Sequence, residues 1–426
     1  MTPVMLIVAV VLASLGAPIA FVFILAAAVA LATGGIIPVI QAVKKMYVGM
    51  DMFALLAIPL FMLAGQLMNA GGLTKRLMRF ANAFVGHLTG GLAQVNILAS
   101  MLFAGMSGSA LADVVGLGSI EIPMMLDAGY DIEFTAGVTA ASSIVGPVIP
   151  PSIDFIIYGT LAGVSVAGLF VGGAIPGIIM GASMMFLADY LSRKRGYPKG
   201  EWVGFSELMK AMLQGIPVLL TPVIILVGML TSVFTPTEAG AIAVLYSTIL
   251  SVAVYRELPL RELPGVVLES LLTSSSLMIV IAAANPFGWV IAYEKIPQHL
   301  AEYTLAMIHS PYLLLFVINV FLLFLGCFME SASLFILLTP ILVPVIKSFG
   351  IDPLHFGIIM VVNLCIGTLT PPFGVCLFAA SRIAGISFER TLRGVKPFYI
   401  PLLIALLIIT YFPQVTLFLP RILLNY

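Results

Sequence analysis

Charged residues are scarce in this 426-residue chain, and their scarcity excludes an ordinary soluble protein. Asp, Glu, Lys and Arg together make up 9% of the sequence, whereas 61% of it is hydrophobic. A soluble globular protein carries roughly a quarter charged residues, so water is not the main solvent of this chain. Apolar runs such as residues 167–191 and 397–419 are long enough to cross about 30 Å of hydrocarbon. The sequence therefore predicts a polytopic membrane protein.

Other absences remove further classes of function. Acidic and basic residues number 19 each, so the neutral chain gives no support for a nucleic-acid partner. Cys327, Cys365 and Cys376 are odd in number and lie in apolar segments, which argues against a disulfide framework. The four histidines are scattered without metal-ligand spacing. No GxxxxGKS/T loop, GxSxG elbow or HExxH pair is present, so neither ATP hydrolysis by a P-loop nor an enzyme of these types is predicted.

An internal repeat is present at an offset of 221 residues. Gly105 falls on Gly326 at this offset, and the motif of Gly146, Pro150 and Pro151 falls on a second Gly and Pro-Pro motif at 367 and 371–372. Matched glycine and proline carry more weight in a membrane protein than matched apolar residues. We therefore divide the chain into a first repeat (residues 1–191), a cytoplasmic linker (192–214) and a second repeat (215–426).

Each repeat has the same predicted order of helices. After three helices and an amphipathic stretch, an apolar segment is broken in its middle at residues 105–109, which is typical of a re-entrant hairpin. A helix interrupted at the Gly and Pro-Pro motif follows. Such breaks are tolerated in a bilayer only where they are buried in protein or line a cavity. Five crossings per repeat make the second repeat inverted, and inverted repeats with paired broken helices are typical of secondary transporters.

The distribution of basic residues predicts the orientation. With the N-terminus outside, 14 of the 19 Lys and Arg residues fall on the cytoplasmic side, and the opposite orientation would reverse this ratio. Both the N-terminus and the C-terminus are therefore expected outside.

The four broken segments, two in each repeat, form the candidate site. Glycine permits unusual backbone angles and proline removes a hydrogen-bond donor, so carbonyl oxygens and helix ends become free to bind. Free carbonyls and hydroxyls can bind Na⁺, and half-helix N-termini favour an anionic group. The alternative is that these Gly and Pro residues only kink helices or allow close packing.

Two carboxylates lie inside apolar segments next to these breaks. Asp154 and Glu330 are each interpreted as facing a water-filled cavity, binding a cation or binding a polar group of a substrate, because burying a charge is costly. The alternative for both is that the carboxylate caps a helix N-terminus. Asn363 lies close to a break, and it is interpreted either as a helix-packing residue or as part of the site.

Five segments in order give the chain a resemblance to a known family, the large permease subunit of the tripartite ATP-independent periplasmic (TRAP) transporters. The resemblance covers essentially the whole chain. The matching segments are LLAIPLFMLAGQLMNAGGLTKRL (55–77), GMSGSALAD (105–113), GPVIPPSIDFIIYG (146–159), FTPTEAGAIAVLY (234–246) and the stretch from LTPILVPV to TPPFG (338–374).

This resemblance implies a function and a set of partners. It implies an elevator-type permease of the bacterial inner membrane that couples import to Na⁺ at two sites and uses no ATP. It further implies a small four-helix membrane subunit, a periplasmic substrate-binding protein, and a carboxylate or sulfonate substrate such as a C4-dicarboxylate, sialic acid or another sugar acid.

The resemblance also assigns residues to the sites. The first Na⁺ site would use Ser107, Ser109 and the backbone from Gly146 to Pro150. The second would use Gly326, Gly367, Thr368 and Thr370. The substrate is expected near Ser109, Ser152, Asp154, Glu330 and Asn363. Asp154 departs from the uncharged residue expected at its position, and a second carboxylate near the site would repel a dianion.

Three other functions stay open at this point. A stand-alone Na⁺/carboxylate symporter of a related elevator fold would need no binding protein. A channel would present a continuous polar pore face, whereas polarity here clusters at the breaks. A membrane-embedded enzyme would need a nucleophile and base or a metal set, which is not recognisable in the sequence.

Overall fold

The computed structural model describes residues 1–35 and 37–424, and this part of the chain is helical, with no β-strand. The all-α fold predicted from the sequence is therefore confirmed. The last two residues of the second repeat, and with them the predicted outside position of the C-terminus, lie outside the described residues. The helices of residues 1–195 are α1 (Thr2–Ser14), α2 (Ile19–Gly34), α3 (Ile40–Met50), α4 (Ala57–Ala70), α5 (Leu73–Val85), α6 (Gly91–Ser107), α7 (Ala110–Gly116), α8 (Gly118–Asp127), α9 (Ile132–Ser143), α10 (Ile153–Ala162) and α11 (Val166–Arg195).

The remaining helices follow a short connection at residues 196–203. A π-helical turn (Ile249–Val254) continues α13, and 3-10 turns precede α4 (Phe53–Leu56) and α21 (Lys396–Phe398). The helices are α12 (Gly204–Leu230), α13 (Pro236–Thr248), α14 (Leu263–Tyr293), α15 (Ile296–Met307), α16 (Pro311–Gly326), α17 (Ser331–Ser348), α18 (Pro353–Gly367), α19 (Val375–Ala384), α20 (Phe388–Val395), α21 (Tyr399–Tyr411) and α22 (Pro413–Leu424).

Several helical segments have the length and composition of membrane spans. Outward-facing side chains of α16 such as Leu313, Phe316 and Phe324 are at least half exposed, which suits contact with lipid. The described residues contain seven spans by these criteria: Phe53–Ala70, Val166–Arg195, Gly204–Leu230, Pro236–Val254, Leu263–Tyr293, Ser331–Ser348 and Phe388–Tyr411.

Two helix boundaries differ from the sequence interpretation. Helix α12 begins at Gly204, inside the segment interpreted as a linker, where Glu207 and Lys210 form an ion pair of 2.7 Å along the helix. The apolar run 397–419 is divided between α21 and α22, because Pro413 takes the first position of a new helix. Proline has no N–H to donate, so the hydrogen-bond ladder of α21 ends before it.

The helices around the breaks recur at the 221-residue offset. Residues 110–127, which span α7 and α8, correspond to 331–348, the bounds of α17. Leu117 between α7 and α8 keeps right-handed helical backbone angles, so the two form one arm. Helix α9 corresponds to α18 and α10 corresponds to α19 at the same offset.

Helices α6 to α8 form an antiparallel hairpin on α9. Asn96, early in α6, lies beside Met125, late in α8, with its amide nitrogen 3.9 Å from the Met125 sulfur. The same Asn96 amide donates to Thr139 of α9 at 2.8 Å and accepts from Ser142 at 2.8 Å. Ser100 extends this chain of hydrogen bonds to Ser142. A buried polar network of this kind fixes one arrangement of the hairpin on α9.

The two repeats interlock at Tyr158. This α10 side chain is fully buried, and its hydroxyl donates to the Pro353 carbonyl at 2.7 Å. Its ring lies against Gly357 of α18, where an added Cβ would be 2.2 Å from the ring.

Replacing Gly357 with alanine is therefore expected to destabilise the protein by about 1–3 kcal/mol, because the anchored Tyr158 ring has no free space to move into. Thermal unfolding of the purified protein measures the effect. The matched control is Gly265→Ala in α14, where an added Cβ meets nothing within 4 Å. Equal thermal stability of the two variants would contradict the interpretation of this contact.

Candidate functional site

The tip of the first hairpin lies directly on the break between α9 and α10. Gly108 takes the left-handed conformation, φ +58°, that lets the chain turn from α6 into α7. A Cβ at Gly108 would be 3.0 Å from the Pro151 carbonyl oxygen and 3.2 Å from the Ile153 nitrogen. Only a glycine lets the two backbones approach this closely.

The second repeat has the same contact between its hairpin tip and its broken helix. Gly326 at the end of α16 faces Gly367 at the end of α18, and a Cβ at Gly367 would be 2.7 Å from the Gly326 Cα. The Phe373 amide donates to the Cys327 carbonyl at 3.2 Å, which ties the tip to the chain after the break. The Pro150–Pro151 and Pro371–Pro372 peptide bonds are both cis.

The hydroxyls predicted to bind the first Na⁺ belong to this first contact. The Ser107 hydroxyl donates its hydrogen to the Asp113 carboxylate, so lone pairs on its oxygen stay available to a cation. Ser109 is the N-cap of α7 and accepts from the Ala112 amide at 3.5 Å. The carbonyls of residues 146–150 accept no hydrogen bond within the described part of the chain. The first predicted set thus has hydroxyl and carbonyl oxygens of the kind Na⁺ binds.

The predicted second set is arranged in a similar way. Thr368 donates its hydroxyl hydrogen to the Cys365 carbonyl at 2.7 Å, and Thr370 donates to the Ile366 carbonyl at 3.0 Å. Both hydroxyl oxygens keep lone pairs that can face a cation. Gly326 and Gly367 contribute the close backbone contact described above.

A cavity of about 800 Å³ opens beside the two contacts. One wall is built from the hairpin tips and the helix breaks, and the opposite wall from the start of α2, from α4 and from α14. The volume is that of a pocket for a small organic molecule.

Four helix N-termini meet at this cavity. Residues Ala110, Ile153, Ser331 and Val375 line it, and they are the first residues of α7, α10, α17 and α19. The N-terminus of a helix carries a partial positive charge and free N–H groups, which favour an anion. The positive potential in the cavity therefore comes from the backbone dipoles at these helix ends.

Side-chain charges in the cavity are negative. Asp154, Glu269 and Glu330 line it, and none of the described lining residues is Lys, Arg or His. Asp154 lies near Ser331 and is close enough to Glu330 for the two carboxylates to interact. Glu330 occupies the N-cap position of α17, but its side chain makes no capping hydrogen bond. These carboxylates would repel an anion that enters the cavity unless bound cations offset their charge.

The structure brings some of the predicted substrate residues to the cavity and not others. Ser109, Asp154 and Glu330 line it, together with Ser107 and Thr368 of the predicted Na⁺ sets. Ser152 lies behind this surface, where it caps α10 by accepting from the Phe155 amide at 3.2 Å. Asn363 is also away from the cavity, and it donates to the side chain of Asn319 in α16 at 2.7 Å. This bond joins two helices, as the helix-packing interpretation of Asn363 describes.

The wall opposite the breaks contains polar residues that were not predicted as site residues. Gln66 and Asn69 of α4 face the cavity, as do Glu269, Thr273 and Ser276 of α14. Gln66 Oε1 is buried without a hydrogen-bond partner among the described residues. Glu269 is a charged residue next to an apolar run, the signal that singled out Asp154, whereas the other four residues are neutral and carry no such signal.

The overall arrangement is that of a polytopic membrane protein with a solute-sized chamber at paired helix breaks. A solved structure of the YdaH transporter from Alcanivorax borkumensis has a similar fold, with a TM-score of 0.59 and 16% sequence identity over 87% of this chain and 86% of that one. At this identity the likeness shows the fold alone.

Sequence comparison identifies the family. Residues 6–415 match the family of the tripartite ATP-independent periplasmic transporter, DctM component, and the chain belongs to this family of large permease subunits. A sialic acid TRAP transporter large permease protein of Vibrio cholerae is 46% identical over 90% of both chains. A C4-dicarboxylate TRAP transporter large permease protein of Pseudomonas aeruginosa is 41% identical over 88% of both chains. The protein is therefore a multi-pass membrane transport protein and not an enzyme.

Proposed function

We propose that this chain is the Na⁺-coupled import permease for an organic acid in the bacterial inner membrane. The observation that carries the proposal is the meeting of four helix N-termini at one cavity that has hydroxyl and carbonyl oxygens beside it. Helix N-termini favour the carboxylate or sulfonate of the substrate, and the oxygens suit the coupling ion.

Within the organic acids, the cavity favours a monoanion. The relatives from V. cholerae and P. aeruginosa are named for sialic acid and C4-dicarboxylates, respectively. Asp154, Glu269 and Glu330 disfavour a second negative charge, but they can accept hydrogen bonds from hydroxyl groups. A hydroxylated monoanion, such as a sugar acid, fits this balance better than a dicarboxylate.

The partners and the orientation follow from the family and from the distribution of charge. The large permeases of this family work with a small membrane subunit and a periplasmic binding protein, and we extend both partners to this chain. The excess of Lys and Arg on one side favours N- and C-termini in the periplasm.

Movement of one wall of the cavity past the other would give the elevator mechanism. The hairpins and broken helices form one wall, and α4 and α14 form much of the other. Gly65 lets the backbone of α4 approach the hairpin helix α6 closely, because a Cβ at this position would be 3.1 Å from the Met106 carbonyl oxygen.

Uptake into proteoliposomes tests the proposal. Vesicles containing this chain and its small subunit are expected to accumulate a labelled organic acid from a panel that includes sialic acid and succinate. Accumulation is expected only with an inward Na⁺ gradient and the cognate binding protein. Uptake that ignores the Na⁺ gradient would contradict the coupling, and uptake without the binding protein would favour a stand-alone symporter.

Two serines of the first hairpin, Ser107 and Ser119, allow a controlled test of the first proposed Na⁺ site. Ser107→Ala is expected to raise the Na⁺ concentration needed for half-maximal uptake, because it removes an oxygen at the tip. Ser119→Ala is the matched control, since within the described part of the chain the Ser119 hydroxyl donates only to the Gly116 carbonyl of its own arm. Equal Na⁺ dependence of the two variants would remove Ser107 from the proposed ion site.

A further inference from the structure

A second, smaller cleft lies away from the substrate cavity. It has a volume of about 280 Å³ and is lined by Lys75, Arg76, Arg79, Gln214 and Glu257. These residues come from α5, from α12 and from the turn before α14. Three cationic side chains face one carboxylate, so the cleft keeps a positive charge.

The amphipathic character of α5 places these cations together. Its apolar side buries Leu73, Leu77 and Met78 in a cluster of packed side chains, so the basic residues are left on the other side. Lys75 and Arg79 are four residues apart and are therefore neighbours along the helix surface. Two like charges at this spacing repel each other unless an anion lies between or beside them.

Arg76 is already neutralised and held in place. Its guanidinium lies 2.6 Å from the Glu257 carboxylate and 3.8 Å from the centre of the Tyr255 ring. Gly72 makes room for this ion pair, because a Cβ there would be 1.6 Å from Glu257 Oε2. Arg76 and Glu257 thus form an ion pair that is held in place at one side of the cleft.

The other two cations are less fully balanced. Arg79 donates to the neutral amide oxygen of Gln214 at 3.1 Å, and the carboxylate near it, Glu207, is already paired with Lys210 at 2.7 Å. Lys75 makes no hydrogen bond or ion pair with the described residues. A phosphate group presents several acceptor oxygens and a negative charge, which match these free donors.

The surroundings of the cleft favour a lipid as the source of that phosphate. Leu213, next to Gln214 in α12, is 63% exposed. An acyl chain can pack against such an apolar side chain while the headgroup stays in the cleft. The positive-inside rule puts this face at the cytoplasmic leaflet, where basic pockets recruit acidic lipids. We propose that the Lys75–Arg79 cleft binds the phosphate headgroup of an acidic phospholipid.

Native mass spectrometry of the purified full chain tests this proposal. The protein is titrated with dioleoyl phosphatidylglycerol, and with dioleoyl phosphatidylcholine as a neutral-headgroup comparison. The Lys75→Gln, Arg79→Gln double variant is expected to bind phosphatidylglycerol about 30-fold more weakly, because two headgroup cations are lost. Lys75→Gln alone is expected to have an intermediate effect. Arg76 is left intact because it holds Glu257.

A charge-matched double variant controls for the general attraction of a basic surface. Lys194→Gln with Arg382→Gln removes one Lys and one Arg that are exposed and lie outside the cleft. This control is expected to keep wild-type lipid binding. Equal losses in the two double variants would overturn the proposal, as would equal wild-type affinity for the two lipids. Displacement of phosphatidylglycerol by an equal concentration of inorganic phosphate would also overturn the lipid assignment and favour a free anion.

Discussion

Replacing Gly367 with alanine is expected to reduce uptake about 10- to 100-fold while the protein stays folded. The added Cβ would be 2.7 Å from the Gly326 Cα and 2.9 Å from its carbonyl carbon, so the hairpin tip and the broken helix must separate. Overpacking of this kind costs about 1–3 kcal/mol, and here the cost falls on the contact that holds the second set of proposed Na⁺ ligands. Initial rates of uptake into proteoliposomes measure the effect, with thermal unfolding as the check on folding.

The control for this prediction is a glycine in a membrane helix that has no such neighbour. Gly288 lies in α14, and a Cβ there meets nothing within 4 Å. Gly288→Ala is therefore expected to transport at close to the wild-type rate. Normal uptake by Gly367→Ala would mean that the tip and the break need not stay in contact during transport.

Replacing Asp154 with asparagine is expected to change which anions bind, with at least about a tenfold gain for a dianion over a matched monoanion. Asp154 and Glu330 face the same cavity, and their charges oppose a second carboxylate on the ligand. A unit charge about 6 Å away contributes about 3 kcal/mol at an effective dielectric constant near 20, and solvent in the cavity reduces that value. Removing one such charge thus favours the dianion most.

Succinate and monomethyl succinate are suitable probes, because they differ mainly by one negative charge. Ligand-dependent thermal stabilisation of the purified permease in Na⁺ gives the relative affinities without the binding protein. Asp127→Asn is the matched control, since Asp127 is an exposed carboxylate at the end of α8, outside the cavity. A similar change in the affinities for both probes would show that the Asp154 charge does not select between them.

The parts of the site that were predictable from the sequence are those marked by backbone chemistry. Glycine and proline act on their own segment, so the breaks at 105–109 and 146–151 are visible without knowledge of the packing. Asp154 and Glu330 were visible for a related reason, because a charge in an apolar segment is costly wherever it lies.

The remaining parts depend on contacts between distant segments. The cavity wall from α4 and α14 forms only when those helices pack beside the hairpins, and no local pattern assigns Gln66 or Thr273 to that surface. Ser152 and Asn363 were predicted as site residues from their positions in the sequence, but the structure places both away from the cavity. Both lie next to a break in the sequence, yet their polar groups are used by a helix cap and by Asn319, respectively.

The described residues that line the proposed substrate cavity include no Lys, Arg or His, and this has a consequence for the order in which ion and substrate bind. An anion that arrives alone meets three carboxylates and only the partial positive charges of the helix ends, so under the proposed Na⁺ coupling its binding is expected to be weak until Na⁺ has entered. Thermodynamic linkage makes the effect reciprocal, because whatever factor Na⁺ adds to substrate affinity the substrate adds to Na⁺ affinity. If the permease is coupled to Na⁺ as we propose, it is expected to bind its ions before its substrate and to release both where the Na⁺ concentration is low.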